Sequence, residues 1–371
     1  LLASVMVRVC EECDSRHTPS FMYAILNELP ARNVLLVTDQ AMVKFGLADR
    51  VTQILNARGI AYQVWDDVVA DPDIATVVRG MKRMDNSYPD LVIALGGGSV
   101  IDAAKAVIFA LAQTRPDAHR EPPCFVAIPT TSGTGSEVTA FSVVKSNAEK
   151  LVLVDPSLLP DIAILDPALV ASVPPAITAD TGMDVLCHAL EAYVSLAAND
   201  FSDALAEKVV QQVFRFLPTC WRNGGDLLAR EKMHNASCMA GMAFTNASLG
   251  LVHSMAHKIG GEFGITHGLA NAIMLPYIIQ YNAKFTKKYR QLEAALGIKN
   301  LIEAINALNQ RLGVPKTLSQ CGEVEINEIT FVNVLDRMSH HAVDDPCTLT
   351  NPNYPSVQDV KGLYTKAFYG A

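Results

Sequence analysis

Asp184-Val185-Leu186-Cys187-His188 sets a carboxylate and an imidazole four residues apart, so a helix over this stretch carries both on one face. His253-Ser254-Met255-Ala256-His257 repeats that spacing with two imidazoles, and His267 follows in Thr266-His267-Gly268. Four of the nine histidines therefore fall in helical, otherwise apolar stretches beside glycines. Buried imidazoles need partners, and a single cation would satisfy several of them together. One carboxylate with three imidazoles suits a first-row divalent ion of borderline hardness, Fe(II) or Zn(II), with a position left open for substrate. The chemistry of such a site is Lewis-acid activation. An alkoxide held there passes hydride to a nicotinamide, and in the reverse direction the ion polarises an aldehyde carbonyl. Spacing alone leaves His253 and His257 as equal candidates for the third protein ligand. The competing structural reading makes all of them separate, hydrogen-bonded core histidines.

Hydride transfer needs a bound dinucleotide, and two segments offer one. Gly96-Gly97-Gly98-Ser99 follows an apolar strand and opens a helix that continues through Asp102 to Lys105. Glycines there admit a pyrophosphate close to the backbone, and the first helical N–H groups face it. The spacing is neither that of the common dinucleotide fingerprint nor that of a P-loop. Thr130-Thr131-Ser132-Gly133-Thr134-Gly135-Ser136 is a second strand exit rich in hydroxyls and glycine, and two such loops at strand ends form one crevice. Asp39 closes the first strand, where a carboxylate accepts ribose hydroxyls and repels a 2'-phosphate, which favours NAD over NADP. Its plainer role is to cap the next helix.

These residues need a scaffold, and the hydrophobic pattern supplies two. Short apolar runs at 34–38, 61–65, 91–95, 125–129, 151–154 and 162–165 alternate in the first half with helical segments at 41–57, 74–84 and 101–112, as in a parallel sheet covered on both faces. The runs at 151–154 and 162–165 each end in Asp-Pro, a strand exit. From about Pro175 the pattern turns helical: 178–197, 203–219, 226–248, 249–260, 268–282, 284–296, 299–312, 325–338 and 356–368. The expected architecture is an α/β dinucleotide-binding domain over 1–172 followed by an all-helical metal-binding catalytic domain over 173–371. The active site is expected in the cleft between the layers.

Composition narrows the class. Half of the 371 residues are hydrophobic and 18% are charged, enough apolar surface for a large core without disulfides. A net charge of -8 and the absence of any Lys/Arg block argue against nucleic-acid or anionic-membrane partners. The eight cysteines read as reduced, mostly buried residues. Cys10-Glu11-Glu12-Cys13 has the spacing of a metal or redox pair, but it lacks a second pair and its glutamates disfavour thiolates. The apolar opening is too short for a membrane span and has no basic lead-in, so a cytoplasmic protein is expected.

The segments Gly96 to Lys105, Pro129 to Thr139, Asp166 to Ser195, Arg230 to Phe244, Asn246 to Asn271 and Asp345 to Pro352 resemble the iron-dependent, group III alcohol dehydrogenase family. Within it they look most like the alcohol dehydrogenase domain of bifunctional aldehyde-alcohol dehydrogenases. The resemblance implies the fold class of that family, also described as dehydroquinate synthase-like. It also implies that Asp184, His188, His253 and His267 hold the metal, while His257 lies beside the open position as a catalytic residue. It assigns cofactor contacts to Asp39, Gly97, Gly98, Ser99, Asp102, Thr130, Thr131, Ser132, Thr134 and Lys150. Fe(2+), with Zn(2+) as the alternative ion, and NAD are the expected cofactors. A homodimer or larger homo-oligomer is the expected assembly.

Three departures stand out: residues 1–30 lack the family's clear extended segment and glycine turn, the link from Phe109 to Phe125 is short, and Asn353 replaces the usual Arg after Asn351-Pro352. The expected reaction interconverts small primary alcohols and aldehydes. The alternative is a polyol dehydrogenase for glycerol or 1,2-propanediol, and a non-catalytic nucleotide-binding module would have been expected to lose at least one ligand.

Overall fold

The computed structural model of the chain describes residues 5–9, 26, 28–114, 122–146, 149–321 and 326–370, with only the backbone described at Glu149 and Lys150. The Cys10/Cys13 pair and most of the first 30 residues lie outside the described residues. Two compact units are found, Leu1–Ser172 and Val173–Ala371.

The first unit is built on strands β1 (Met6–Val9), β2 (Asn33–Val37), β3 (Ala61–Trp65), β4 (Leu91–Gly96), β5 (Cys124–Pro129) and β8 (Ile162–Leu165), ordered β1-β8-β5-β4-β2-β3. Every pairing in this sheet is parallel. Period-two alternation divides its side chains. Val34, Leu36, Ile93, Leu95, Val126 and Ile128 form one buried cluster with Leu47, Val51, Ile54 and Leu55 of the helical layer. Leu35, Val37, Val92, Ala94 and Ala127 form another on the opposite face with Val77, Ile101, Ala104 and Val107. Both faces are thus covered, which is why the strands read as continuous apolar runs. The covering helices are α1 (Gln40–Lys44), α2 (Leu47–Ala57), α3 (Ile74–Ser87) and α4 (Gly98–Thr114).

Three features differ from the sequence reading. The single helix expected over 41–57 is broken at Phe45-Gly46 into α1 and α2. Met6–Val9, read only as an apolar opening, is an edge strand paired with β8. The run at 151–154 does not join the sheet: β6 (Phe141–Ser146) and β7 (Glu149–Val154) form a separate antiparallel ribbon. Both Asp-Pro pairs end strands as expected, and Asp155 and Asp166 then cap short 3-10 turns.

Among the described residues the second unit is all helical: α5 (Pro175–Val194), α6 (Asp200–Arg222), α7 (Leu227–Ala247), α8 (Leu251–Phe263), α9 (His267–Asn282), α10 (Lys288–Leu296), α11 (Leu301–Leu312), α12 (Glu328–Val343) and α13 (Val357–Tyr369). They enclose one large apolar core drawn from all nine. Gly268 lets α9 lie against α5, since a Cβ there would come within 2.0 Å of the Asp180 carbonyl oxygen. Among the described residues no helix is long and apolar enough to cross a membrane.

Candidate active site

In the first unit the sheet reverses direction of growth between β2 and β4, because β2 leads outward to β3 and β4 leads the other way to β5. Dinucleotides bind at such switch points, outside the carboxyl ends of the strands. Asp39 follows β2, and Gly96 to Ser99 pass from β4 into α4. Asp39 accepts the Met42 amide at 2.9 Å, so it caps α1. Gly98 has no room for a side chain: a Cβ would lie 2.7 Å from the Thr134 side chain, which brings the loop after β5 against the start of α4. Gly97 lies beside Thr131, with 3.5 Å from an added Cβ. Thr130 and Ser132 are buried, and the Ser99 hydroxyl accepts the Asp71 amide at 3.2 Å. Asp102 is turned toward the same loop, accepting the Ser136 hydroxyl at 2.6 Å and the Val143 amide at 3.1 Å. The backbone of Lys150 lies on β7, opposite Lys145; its side chain is outside the described residues.

In the second unit, α5 carries Asp184 and His188, α8 carries His253 and His257, and α9 opens on His267. Asp184 Oδ1 is the centre of the cluster. The Nε2 atoms of His253 and His267 lie 3.5 Å from it and that of His188 lies 3.7 Å away. Donor atoms at about 2.1 Å from a tetrahedral ion are separated by about 3.4 Å, and these distances from the Asp184 oxygen fit donors placed around one divalent ion. Asp184, His188 and His253 offer ligand atoms all within 4.8 Å of one another. The residues present fit a divalent metal, both in donor chemistry and in spacing.

The electrostatics agree. Burial raises the Asp184 carboxyl, but the surrounding imidazoles outweigh it and hold it well below the usual carboxylate range. Burial likewise works against charge on His253, yet the carboxylates of Asp184 and Glu191 lift it to about 9. A metal bound at Nε2 would take the place of a proton there. His267 is driven well below its usual range by loss of solvent and by the other imidazoles, although 37% of its side chain remains exposed.

Residues that the sequence reading left without a role orient these groups. Glu191 Oε2 lies 2.6 Å from His253 Nδ1, so Nε2 is directed at Asp184. The same carboxylate accepts the Gly250, Val252 and His253 amides at the start of α8. Asn271 donates its amide to Asp184 Oδ1 at 2.7 Å. Both were legible by helical spacing, Glu191 seven residues after Asp184 and Asn271 four after His267. His257 stands apart from the Asp184 oxygen: its Nδ1 meets Asp345 Oδ2 at 3.2 Å, and Lys258 shares that oxygen at 2.8 Å. His257 and His267 stack with ring centroids 5.3 Å apart. Asp345 thus occupies Nδ1 of His257 and leaves its Nε2 clear of that contact.

Comparison with known proteins agrees with this geometry. Residues 18–167 match the model of iron-containing alcohol dehydrogenases, and residues 178–368 match that of the C-terminal part of the Fe-containing alcohol dehydrogenase family. The chain is 41% identical over 384 residues to an aldehyde-alcohol dehydrogenase of Streptococcus pneumoniae, with 91% of the chain but only 43% of that relative covered. It thus spans less than half the length of this relative. It is 39% identical to an NADPH-dependent butanol dehydrogenase of Clostridium saccharobutylicum, covering 93% of the chain and 94% of that protein. The structure of an iron-containing alcohol dehydrogenase from Thermococcus thioreducens superimposes with a TM-score of 0.87 at 33% identity, covering 100% of this chain and 99% of that one. From both family matches and from these relatives, the chain belongs to the iron-containing alcohol dehydrogenase family.

Proposed function

We propose that the chain is an NAD(H)-linked, metal-activated alcohol dehydrogenase that interconverts small primary alcohols and aldehydes. The observation that carries this reading is the gathering of three imidazole nitrogens within 3.7 Å of one buried Asp184 oxygen. Asp184, His188, His253 and His267 would hold Fe(2+), with Zn(2+) the competing ion. A bound divalent ion supplies Lewis-acid polarisation of the alcohol or carbonyl oxygen. His257 would act as the catalytic residue, taking up at Nε2 the hydroxyl proton released when an alcohol is oxidised and returning it during reduction. Asp345, 3.2 Å from Nδ1, would fix its tautomer. Gly97, Gly98, Ser99, Thr130, Thr131, Ser132 and Thr134 would receive the cofactor at the switch point, with Asp102 and Lys150 completing that set. Asp39 would accept the adenosine ribose hydroxyls and so favour NAD.

The same proposal includes a cytoplasmic homo-oligomer and a domain division at 172/173. The free thiols of Cys124, Cys187, Cys220 and Cys347 support a reducing compartment.

The test is steady-state turnover of ethanol, 1-butanol, 1,2-propanediol and glycerol with NAD and with NADP. The unaltered chain is expected to favour the monohydric alcohols and NAD. Asp39→Ser keeps a capping oxygen but removes the charge, and should move the NAD/NADP ratio toward NADP. An unchanged ratio reduces Asp39 to a cap, preference for glycerol moves the reading to a polyol dehydrogenase, and absence of turnover with every pair overturns it.

A further inference from the structure

We infer that Lys105 is a positioning residue for the nicotinamide cofactor, holding from within α4 the loop after β5 that packs over the phosphate-receiving start of the same helix. This rests on the proposed nucleotide site above. Lys105 is 1% exposed, and its surroundings are unusual for a buried cation. Its ammonium donates to the main-chain oxygens of Ser136 at 2.6 Å, Thr139 at 2.8 Å and Phe141 at 2.8 Å. The hydroxyl oxygens of Ser136 and Thr139 both stand 3.1 Å away. Three N–H groups thus meet three carbonyls of one short segment, with Asp102 and Glu137 acting on Lys105 through their charge.

Burial lowers Lys105 to about 8, so the ammonium remains charged at neutral pH despite the loss of water. An apolar residue would fill the space without that cost, but it would remove the charged donor that the carbonyls of Ser136, Thr139 and Phe141 share. Their inward turn is what the lysine maintains.

The consequence reaches the cofactor crevice through Ser136. Its hydroxyl goes to Asp102 at 2.6 Å, its carbonyl to Lys105, and its amide to Thr134 Oγ1 at 3.2 Å. Thr134 is the residue that packs over Gly98 at the first turn of α4. One helix therefore supplies both the amides that receive a pyrophosphate and, one and two turns later, the Asp102 and Lys105 groups that fix the opposing loop above them.

The test compares the unaltered chain with Lys105→Met, Lys105→Arg and Ser136→Ala, reading the NADH dissociation constant by nucleotide fluorescence, circular dichroism, metal content, and KM for NAD against kcat. Losing the charged hydrogen bonds should weaken NADH by about tenfold or more in Lys105→Met and by severalfold in Ser136→Ala. Lys105→Arg should recover part of the loss. The effect should fall on the dissociation constant and KM for NAD rather than on kcat or metal content. A folded Lys105→Met chain with unchanged NADH affinity overturns the inference while leaving the proposed function standing. If Lys105→Met does not fold, unchanged affinity in Ser136→Ala overturns it equally. Absence of NADH binding by the unaltered chain overturns both.

Discussion

Replacing Glu191 with Gln probes the metal centre without touching a proposed ligand. The carboxylate is 3% exposed and serves two structures at once. It faces His253 Nδ1 at 2.6 Å, and it accepts three amides at the start of α8, those of Gly250 at 3.0 Å, Val252 at 2.5 Å and His253 at 3.3 Å. An amide side chain offers one acceptor where the carboxylate offers two, so at least one N–H group is left facing an NH2 group. Each hydrogen bond to a charged partner is worth about 1.5–3 kcal/mol, and the anion adds up to about 2 kcal/mol at a helix start; these losses overlap rather than add.

For metal affinity the relevant loss is the anion behind the His253 ligand, for which removal of such a partner costs about 10–100-fold, equivalent to about 1.4–2.7 kcal/mol. The assay is Zn(II) or anaerobic Fe(II) binding in competition with a chelator of known affinity, with thermal unfolding of the metal-free chains measured in parallel. Weaker binding and a lower Tm are expected together. Metal affinity within twofold of the unaltered chain would refute the reasoning that Glu191 directs His253 toward the ion.

Other expectations follow from the same geometry. Gly268→Ala places a Cβ 2.0 Å from a backbone oxygen of α5 that no rotamer change relieves, so stability should fall by about 3 kcal/mol or more and metal retention with it; a Tm unchanged by the substitution contradicts the packing described. Glu137 is raised to about 7 by burial, despite the opposing pull of Lys105. Its unfolded form loses the proton first, so stability is fully present below about 4.5, falls as pH rises to about 7, and stays lower above it. Glu137→Gln should therefore raise Tm at pH 8 and lose that advantage toward pH 4; equal Tm at pH 8 counts against it. His257→Ala should keep its metal while turnover drops by about 10²–10⁴-fold, whereas loss of metal would make His257 a ligand.

Much of this was legible because the chemistry coincides with strong periodicity. Asp184 and His188 share a helical face by spacing alone, and the buried parallel strands announce themselves as apolar runs ending in glycine, hydroxyl or Asp-Pro exits. The edge strand Met6–Val9 did not, since four half-exposed residues carry little pattern and its partner β8 lies more than 150 residues away. The β6–β7 ribbon was missed because β7 is apolar like a sheet strand although Leu151, Val152 and Val154 are exposed. Glu191, Asn271 and Lys105 escaped for a common reason. Helical spacing puts Glu191 and Asn271 on the ligand faces, but a polar residue in a helical pattern reads as solvated, and only tertiary packing shows the groups each is buried against.

Anaerobic titration of the metal-stripped chain with Fe(II), following NADH formation from 1-butanol, tests the central claim most directly. Activity should rise from near zero and level at one equivalent per chain, with His267→Ala showing neither tight uptake nor recovery. Full activity without metal, or a plateau unrelated to one equivalent, would contradict a single Asp184-centred ion as the seat of catalysis.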